Sequence, residues 1–214
     1  MYKEELIIIR HARSKHNTKE TEELDASLND FGLKQAQNLG LFFSHMNPQD
    51  YEWFCSPFLR CLQTMKPMAE LCNVKPMVMF QLREYLNHSR RGVFVANRKE
   101  QFPQFCWDLY PDAGEEYDEE FNEVFLHRMQ DAFHVLPQKS IVVTHGLPAL
   151  ALLKVASDPT NHGIPVWDHS IDNASISIIR KGRVIWHGRN LYHEVEYDAK
   201  SYRRDWDGVI KAAG

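Results

Sequence analysis

Arginine, histidine, serine and threonine recur where apolar runs of this chain stop. The stretch LIIIRHARSKHN, Leu6 to Asn17, drives four apolar residues into Arg10-His11, with Arg13, Lys15 and His16 close behind. A second stretch, YEWFCSPFLRCLQT, ends an apolar run at Ser56 and carries Arg60 just beyond it. A third, KSIVVTHG, ends in Thr144-His145-Gly146. These residue types suit phosphoryl transfer. A neutral imidazole is a good nucleophile toward phosphorus near pH 7. Arginine's planar fork binds phosphate oxygens bidentately and stays charged. A second imidazole can donate to an equatorial oxygen. Preorganised donors of this kind are worth on the order of 3–4 kcal/mol each in the transition state. A carboxylic acid would protonate the leaving oxygen. The competing reading is a solvated basic turn that happens to follow a strand.

For these residues to meet, the elements behind them must form one sheet. ELIIIR is apolar on both faces and reads as a buried strand. LNDFGLKQAQNLGLFFSHM reads as a helix with Leu33, Ala36, Leu39, Phe42 and Phe43 at helical spacing, capped by Asn29 or Asp30. YEWFCS is a second strand. Ser56-Pro57 then predicts an N-cap with proline at the first helical position, and Pro67 predicts a kink or early break in FLRCLQTMKPMAELC. KPMVMF is a third strand. GEEYDEEFNEVFLHRMQDAFHVL reads as a long helix with acids suited to its N-terminus. KSIVVTHG is a fourth strand and LPALALLKVA the helix after it. Residues 157–173 read as a loop, and ASISIIRKGRVIWHG as a hairpin around Lys181-Gly182.

Alternating strands and helices imply an α/β fold: a three-layer α/β/α sandwich with a mostly parallel central sheet, closed by an antiparallel hairpin. In such sheets, sites form beyond the carboxyl ends of strands, so Arg10, His11, Arg60 and His145 can converge although far apart in sequence. One domain over 1–214 is the simplest division. Residues 81–113 lack a clean period, mix basic and aromatic side chains, and are a candidate insertion or lid. The aromatics from Phe94 to Tyr110 are expected to be local core rather than a substrate cage.

Composition narrows the function classes. The chain has 214 residues, 43% of them hydrophobic and 25% charged, as in an ordinary globular domain able to bury a core without staples. Its net charge of −4 makes it a poor candidate for nonspecific nucleic-acid binding. Cys55, Cys61, Cys72 and Cys106 form no C-x-x-C pair and are expected to be free thiols in a reducing, cytoplasmic compartment. There is no H-E-x-x-H motif, and neither a signal peptide nor a membrane span is expected. Neither a metal nor a cofactor is expected.

Taken in order, these motifs resemble the histidine phosphatase superfamily, with its phosphoglycerate-mutase-like fold. The family's R-H-G after a strand, with asparagine a few residues on, stands here as RHARSKHN. Its S-x-x-x-R-x-x-x-T pattern stands as SPFLRCLQT, Ser56 to Thr64. Its glutamate after a third strand is Glu84 in LREYL, its second histidine is His145 in VVTHG, and its late N-A-S is Asn173-Ala174-Ser175. The resemblance covers about Leu6 to Ile179.

It implies that His11 is the nucleophile and forms a transient phosphohistidine. It implies that Arg10, Arg60 and His145 hold the phosphoryl oxygens with help from Asn17, that Glu84 donates the proton, and that no metal takes part. Glu115 and Glu116 are rival acids. Asn173 is a further candidate for the substrate site.

Departures from the family pattern set further expectations. Ala12 replaces the usual glycine, which would cost about 1 kcal/mol if that position needs positive φ. Arg13 replaces the acidic residue or glutamine of mutase-like members. Gly146 stands where phytase-like branches carry an aspartate, which leaves Glu84 as the acid. Chain length and Arg13 favour a phosphomonoester phosphatase over a phosphoglycerate-mutase-type phosphotransferase. A catalytically silent module that binds a phosphorylated ligand is the reading from another class. Arg13, Lys15, Arg90 and Arg91 suggest a substrate with an additional anionic group. That substrate is a phosphorylated small molecule or phosphoprotein, with neither nucleic acid nor membrane as partner.

Overall fold

The computed structural model describes residues 2–85, 97–109, 122–157 and 171–191. Its centre is strand β1, Glu5–Arg10, where Leu6 to Ile9 are each at most 1% exposed. Alternation along a strand sends side chains to opposite faces. Ile7 and Ile9 therefore join one core cluster, while Leu6 and Ile8 join another. Burying each such side chain is worth roughly 1.5–3 kcal/mol, which fixes β1 against both layers.

Around β1 lie β2 (Glu52–Cys55), β3 (Met77–Val78), β4 (Lys139–Thr144), β5 (Ser175–Arg180) and β6 (Arg183–Asn190). They form one six-stranded sheet in the order β3-β2-β4-β1-β5-β6. The pairs β2–β3, β2–β4 and β1–β4 are parallel, whereas β5 runs antiparallel to both β1 and β6. Register places Arg10 opposite Thr144, so the two histidines that follow these residues emerge side by side. The β5–β6 turn puts Lys181 and Gly182 at φ 48° and 79°, the left-handed pair that such hairpins require.

Helices α1 (Asp30–Met46) and α2 (Leu59–Cys72) cover one face. They contribute Ala36, Leu39, Phe42, Leu62 and Met65 to the first cluster. Helices α4 (Asn122–Val135) and α5 (Gly146–Ala156) cover the other, with Phe125, Met129, Leu150 and Leu153 in the second cluster. The short α3 (Arg98–Gln101) precedes Phe102, Phe105 and Trp107, which are buried in the first cluster as local core. Phe94 and Tyr110, like Glu115, Glu116, Arg90 and Arg91, lie outside the described residues.

Four local expectations need correction. Leu33 is 46% exposed, because it lies on the outer side of α1 and only the other apolar positions reach the sheet. The third strand shrinks to Met77–Val78, since the chain then turns into a 3-10 turn at Phe80–Leu82. Pro67 does not break α2, which runs on to Cys72. And α2 begins at Leu59 with Phe58 at its cap position, so Ser56 is not the cap and Pro57 is not the first helical residue. The Asn29 cap stands as expected, its side chain accepting from the Gly32 amide at 2.9 Å.

Candidate active site

His11 sits one residue beyond β1 and is 2% exposed. Its amide donates to the Thr144 carbonyl at 2.8 Å, continuing the β1–β4 ladder and holding its backbone to the sheet. The ring is fixed from both sides. Nδ1 lies 2.7 Å from the Ala12 carbonyl, which can only accept. Nε2 lies 3.1 Å from Arg60 Nε, which can only donate. The proton is therefore on Nδ1 and the lone pair on Nε2, facing a guanidinium. Burial first, then the charges of Arg60 and Arg10, hold the imidazole well below its ordinary pKa, so it is neutral at pH 7.

Ala12 answers the question raised by its missing glycine. It is fully buried and is not among the positive-φ residues, so the extra methyl brings no backbone strain. Its amide donates to Thr64 Oγ1 at 2.9 Å, and the Thr64 hydroxyl donates to the Arg60 carbonyl at 2.7 Å. Thr64 thus ties the loop after β1 to the first turns of α2.

Arg60 is 5% exposed and is the hub of the cluster. Besides His11 it reaches the Leu24 carbonyl through Nη1 at 2.8 Å, and its Nη2 stands 3.9 Å from Glu84 Oε2. The helix that carries it is capped from a distance. Asp25 accepts from the Leu59 amide at 2.7 Å and pairs with Arg98 at 2.7 Å. Burial pushes the Asp25 carboxyl up, and Arg98 opposes that shift.

His145 occupies the N-cap position of α5 and is fully buried. Its ring meets His11 edge-on at 5.2 Å between centroids, and Phe58 packs on it at 5.1 Å. Burial first, then the charges of Arg60, His11 and Arg10, keep it well below the ordinary histidine pKa. Its Nδ1 lies 3.7 Å from Glu84 Oε2, so Glu84 bridges the second histidine and the arginine. Arg10 is half-buried. Its Nη1 donates to the Ile171 carbonyl, while its Nε is buried without a partner among the described residues.

The remaining candidates take differing places. Asn17 and Asn173 interlock: Asn173 Nδ2 donates to the His11 carbonyl at 3.0 Å and to Asn17 Oδ1 at 3.1 Å. Asn17 Oδ1 also accepts from the Ser14 amide and hydroxyl at 3.1 and 2.9 Å. Both asparagines thereby brace the loop that follows β1 and carries His11. Gly146 borders the Arg10 guanidinium, where a Cβ would lie 3.6 Å from its central carbon. The Arg13 guanidinium stacks over Phe31 at 4.6 Å.

The sequence reading missed the roles of Asp25, Gln35 and Cys61. Gln35 accepts from the Arg13 amide at 2.9 Å, and Cys61 Sγ lies 3.4 Å from His145 Nε2. No motif marks them, since each acts across more than twenty residues. Thr64 and Ser56 do stand in the S-x-x-x-R-x-x-x-T pattern, and that pattern was their signal. Among the described residues no three His, Cys, Asp or Glu side chains are grouped to hold a metal ion. Nor is any helix there long and apolar enough to cross a membrane.

A six-stranded central sheet flanked by helices on both faces is the fold of phosphoglycerate-mutase-like phosphatases. The family description "Histidine phosphatase superfamily (branch 1)" matches residues 6–191, and the chain belongs to that superfamily. Among solved structures, the ecdysone phosphate phosphatase of Bombix mori superposes with a TM-score of 0.64 at 15% identity, over 94% of this chain and 98% of that one. A mycobacterial glucosyl-3-phosphoglycerate phosphatase superposes at 0.54 with 18% identity, over 82% and 89%. These likenesses show the fold. A curated relative, the transcription factor tau 55 kDa subunit of Saccharomyces cerevisiae, is 25% identical over 195 residues, 83% of this chain and 42% of that protein. The chain thus spans less than half the length of that relative.

Proposed function

We propose that the chain is a phosphatase that hydrolyses a phosphomonoester through a phosphohistidine on His11. The observation that carries this reading is the fixed tautomer of His11: Nδ1–H on the Ala12 carbonyl and a lone pair on Nε2 directed at Arg60. A phosphoryl group arriving there would take the Arg60 donors for its own oxygens and free Nε2 to attack. The Nε of Arg10, unpartnered among the described residues, is a second donor available to the same oxygens. The P–N bond forms as the P–O bond to the leaving group breaks, and Glu84 gives that oxygen a proton. Glu84, now a carboxylate, removes a proton from water as the water attacks phosphorus. The P–N bond breaks and inorganic phosphate leaves. No step calls for a metal.

A phosphotransferase of the mutase type would use the same residues and differ only in passing the phosphoryl group to an acceptor other than water. A silent phospho-ligand-binding module is favoured by one observation, the curated relative's name as a transcription factor subunit. Against it, His11, Arg10, Arg60, Glu84 and His145 are all present. Turnover of p-nitrophenyl phosphate, abolished in His11→Ala, separates enzyme from binding module. An acid-labile, base-stable phosphate trapped on His11 is the expected intermediate, and its absence during turnover would exclude this mechanism. A panel of sugar phosphates, phosphopeptides, nucleotides and phosphorylated carboxylates would find the substrate class.

A further inference from the structure

We propose that Ser56 is a positioning residue that fixes the tautomer of His145, so that Nδ1 carries the proton toward the reaction centre. This rests on the phosphoryl-transfer reading of the site. Ser56 Oγ lies 2.8 Å from His145 Nε2, and both residues are fully buried. A single hydroxyl proton decides which partner donates. Among the described residues Ser56 Oγ already accepts from the Phe58 amide at 3.4 Å, and its other side-chain partner besides His145 is the Cys61 thiol, a poor acceptor. The hydroxyl proton therefore goes to Nε2. The other side of the ring gives the same answer. Nδ1 faces Glu84 Oε2 at 3.7 Å, and in the carboxylate form of Glu84, before it takes up the proton it donates, that oxygen attracts an N–H and repels a lone pair.

The consequence is directional. A neutral imidazole has one donor and one acceptor. With Nε2 occupied by Ser56 behind it, His145 presents its only N–H on the side of Glu84 and Arg60, where phosphoryl oxygens would lie. The reverse tautomer would offer those oxygens a lone pair, and repulsion would replace a transition-state hydrogen bond. His11 and His145 then share one design, each with the proton on Nδ1. The carbonyl of Ala12, one residue downstream, holds it for His11, and the hydroxyl of Ser56, far upstream in the sequence, selects it for His145.

The test begins with the unaltered protein. Long-range 1H–15N correlation spectra at pH 7.5, with His145 assigned through His145→Gln, should show a protonated Nδ1 and an unprotonated Nε2. A protonated Nε2 would overturn the proposal. In Ser56→Ala, with Cys61→Ala added so that the thiol cannot substitute, the tautomer should shift toward Nε2–H. On p-nitrophenyl phosphate, kcat should fall roughly 10- to 100-fold, by analogy with the hydrogen-bond partners that orient metal-ligating histidines, with KM within about twofold. Ser56→Thr, which keeps the hydroxyl, should recover the tautomer. Unchanged spectra and kcat in the alanine variants would also overturn it. An inactive wild type whose Nδ1–H tautomer is lost in those variants would support the role of Ser56 and sink the phosphatase reading instead.

Discussion

At the residue scale the site rests on hydrogen bonds with one possible direction. Thr64 is the clearest case outside the reacting groups, because it accepts from the Ala12 amide and donates to the Arg60 carbonyl. Thr64→Val keeps the shape but orphans a buried amide, which costs about 1–3 kcal/mol. A lower urea midpoint with an unchanged m-value would report that loss, and kcat should fall because both His11 and Arg60 flank the lost contact. Arg60→Ala should be more severe for activity than for folding. It removes the donor to Nε2 and a cation 3.9 Å from Glu84, and should reduce kcat/KM by about 100-fold or more. Arg60→Lys should not restore it, since an ammonium cannot supply the guanidinium's planar donor fork; full rescue by lysine would refute that account of the site.

The next scale is the element, and there distance in sequence set what could be read. Strand β1 was legible because its apolar run serves two buried faces at once. Helix α1 was legible because Asn29 caps it locally. Helix α2 was misread at its start: Ser56-Pro57 carries a local capping signature, yet the amide of Leu59 is satisfied by Asp25, thirty-four residues upstream. No local pattern encodes that bond, and Ser56 is thereby free to serve His145. Likewise the motifs gave Arg60 and His145, but Cys61 and Gln35 became visible only once α1 and α2 were packed. Asp25→Ala should remove the cap and strand Arg98 in a buried pair, a loss of about 3–5 kcal/mol, seen as an early thermal midpoint, with kcat reduced through Arg60. Gly32 is a second hinge point of this kind. A Cβ there would stand 2.0 Å from the Arg13 carbonyl, so Gly32→Ala should push α1 off the catalytic loop at a cost of about 1–3 kcal/mol, measurable by denaturant unfolding.

For the whole molecule, two buried neutral histidines make stability depend on pH. Both have folded pKa values below the unfolded value near 6.5. Below that pH the unfolded chain binds protons that the native chain refuses, so stability falls as pH falls. It recovers fully above about 6.5. Thermal midpoints should drop between pH 7 and pH 5, and the slope should flatten in His11→Gln/His145→Gln, whatever that variant's absolute stability. Equal slopes would mean that neither histidine is held neutral. The same neutrality predicts that the kcat/KM profile shows no acidic limb at an ordinary histidine pKa, but one displaced to lower pH.

The sheet order has a bearing on how the molecule comes into being. Strand β1 is made first, yet it pairs with β4, from Glu5 opposite Lys139, and with β5, from Glu5 opposite Arg180. Pairings this far apart in sequence close slowly, because the loop entropy must be met before the contacts reward it. On the ribosome, Leu6 to Ile9 would wait as an exposed apolar edge until the THG turn and the final hairpin emerge. His11 would have no Thr144 carbonyl to hold it until then. His11 would therefore emerge without a site around it, and the site would assemble only once β4 and β5 had been made.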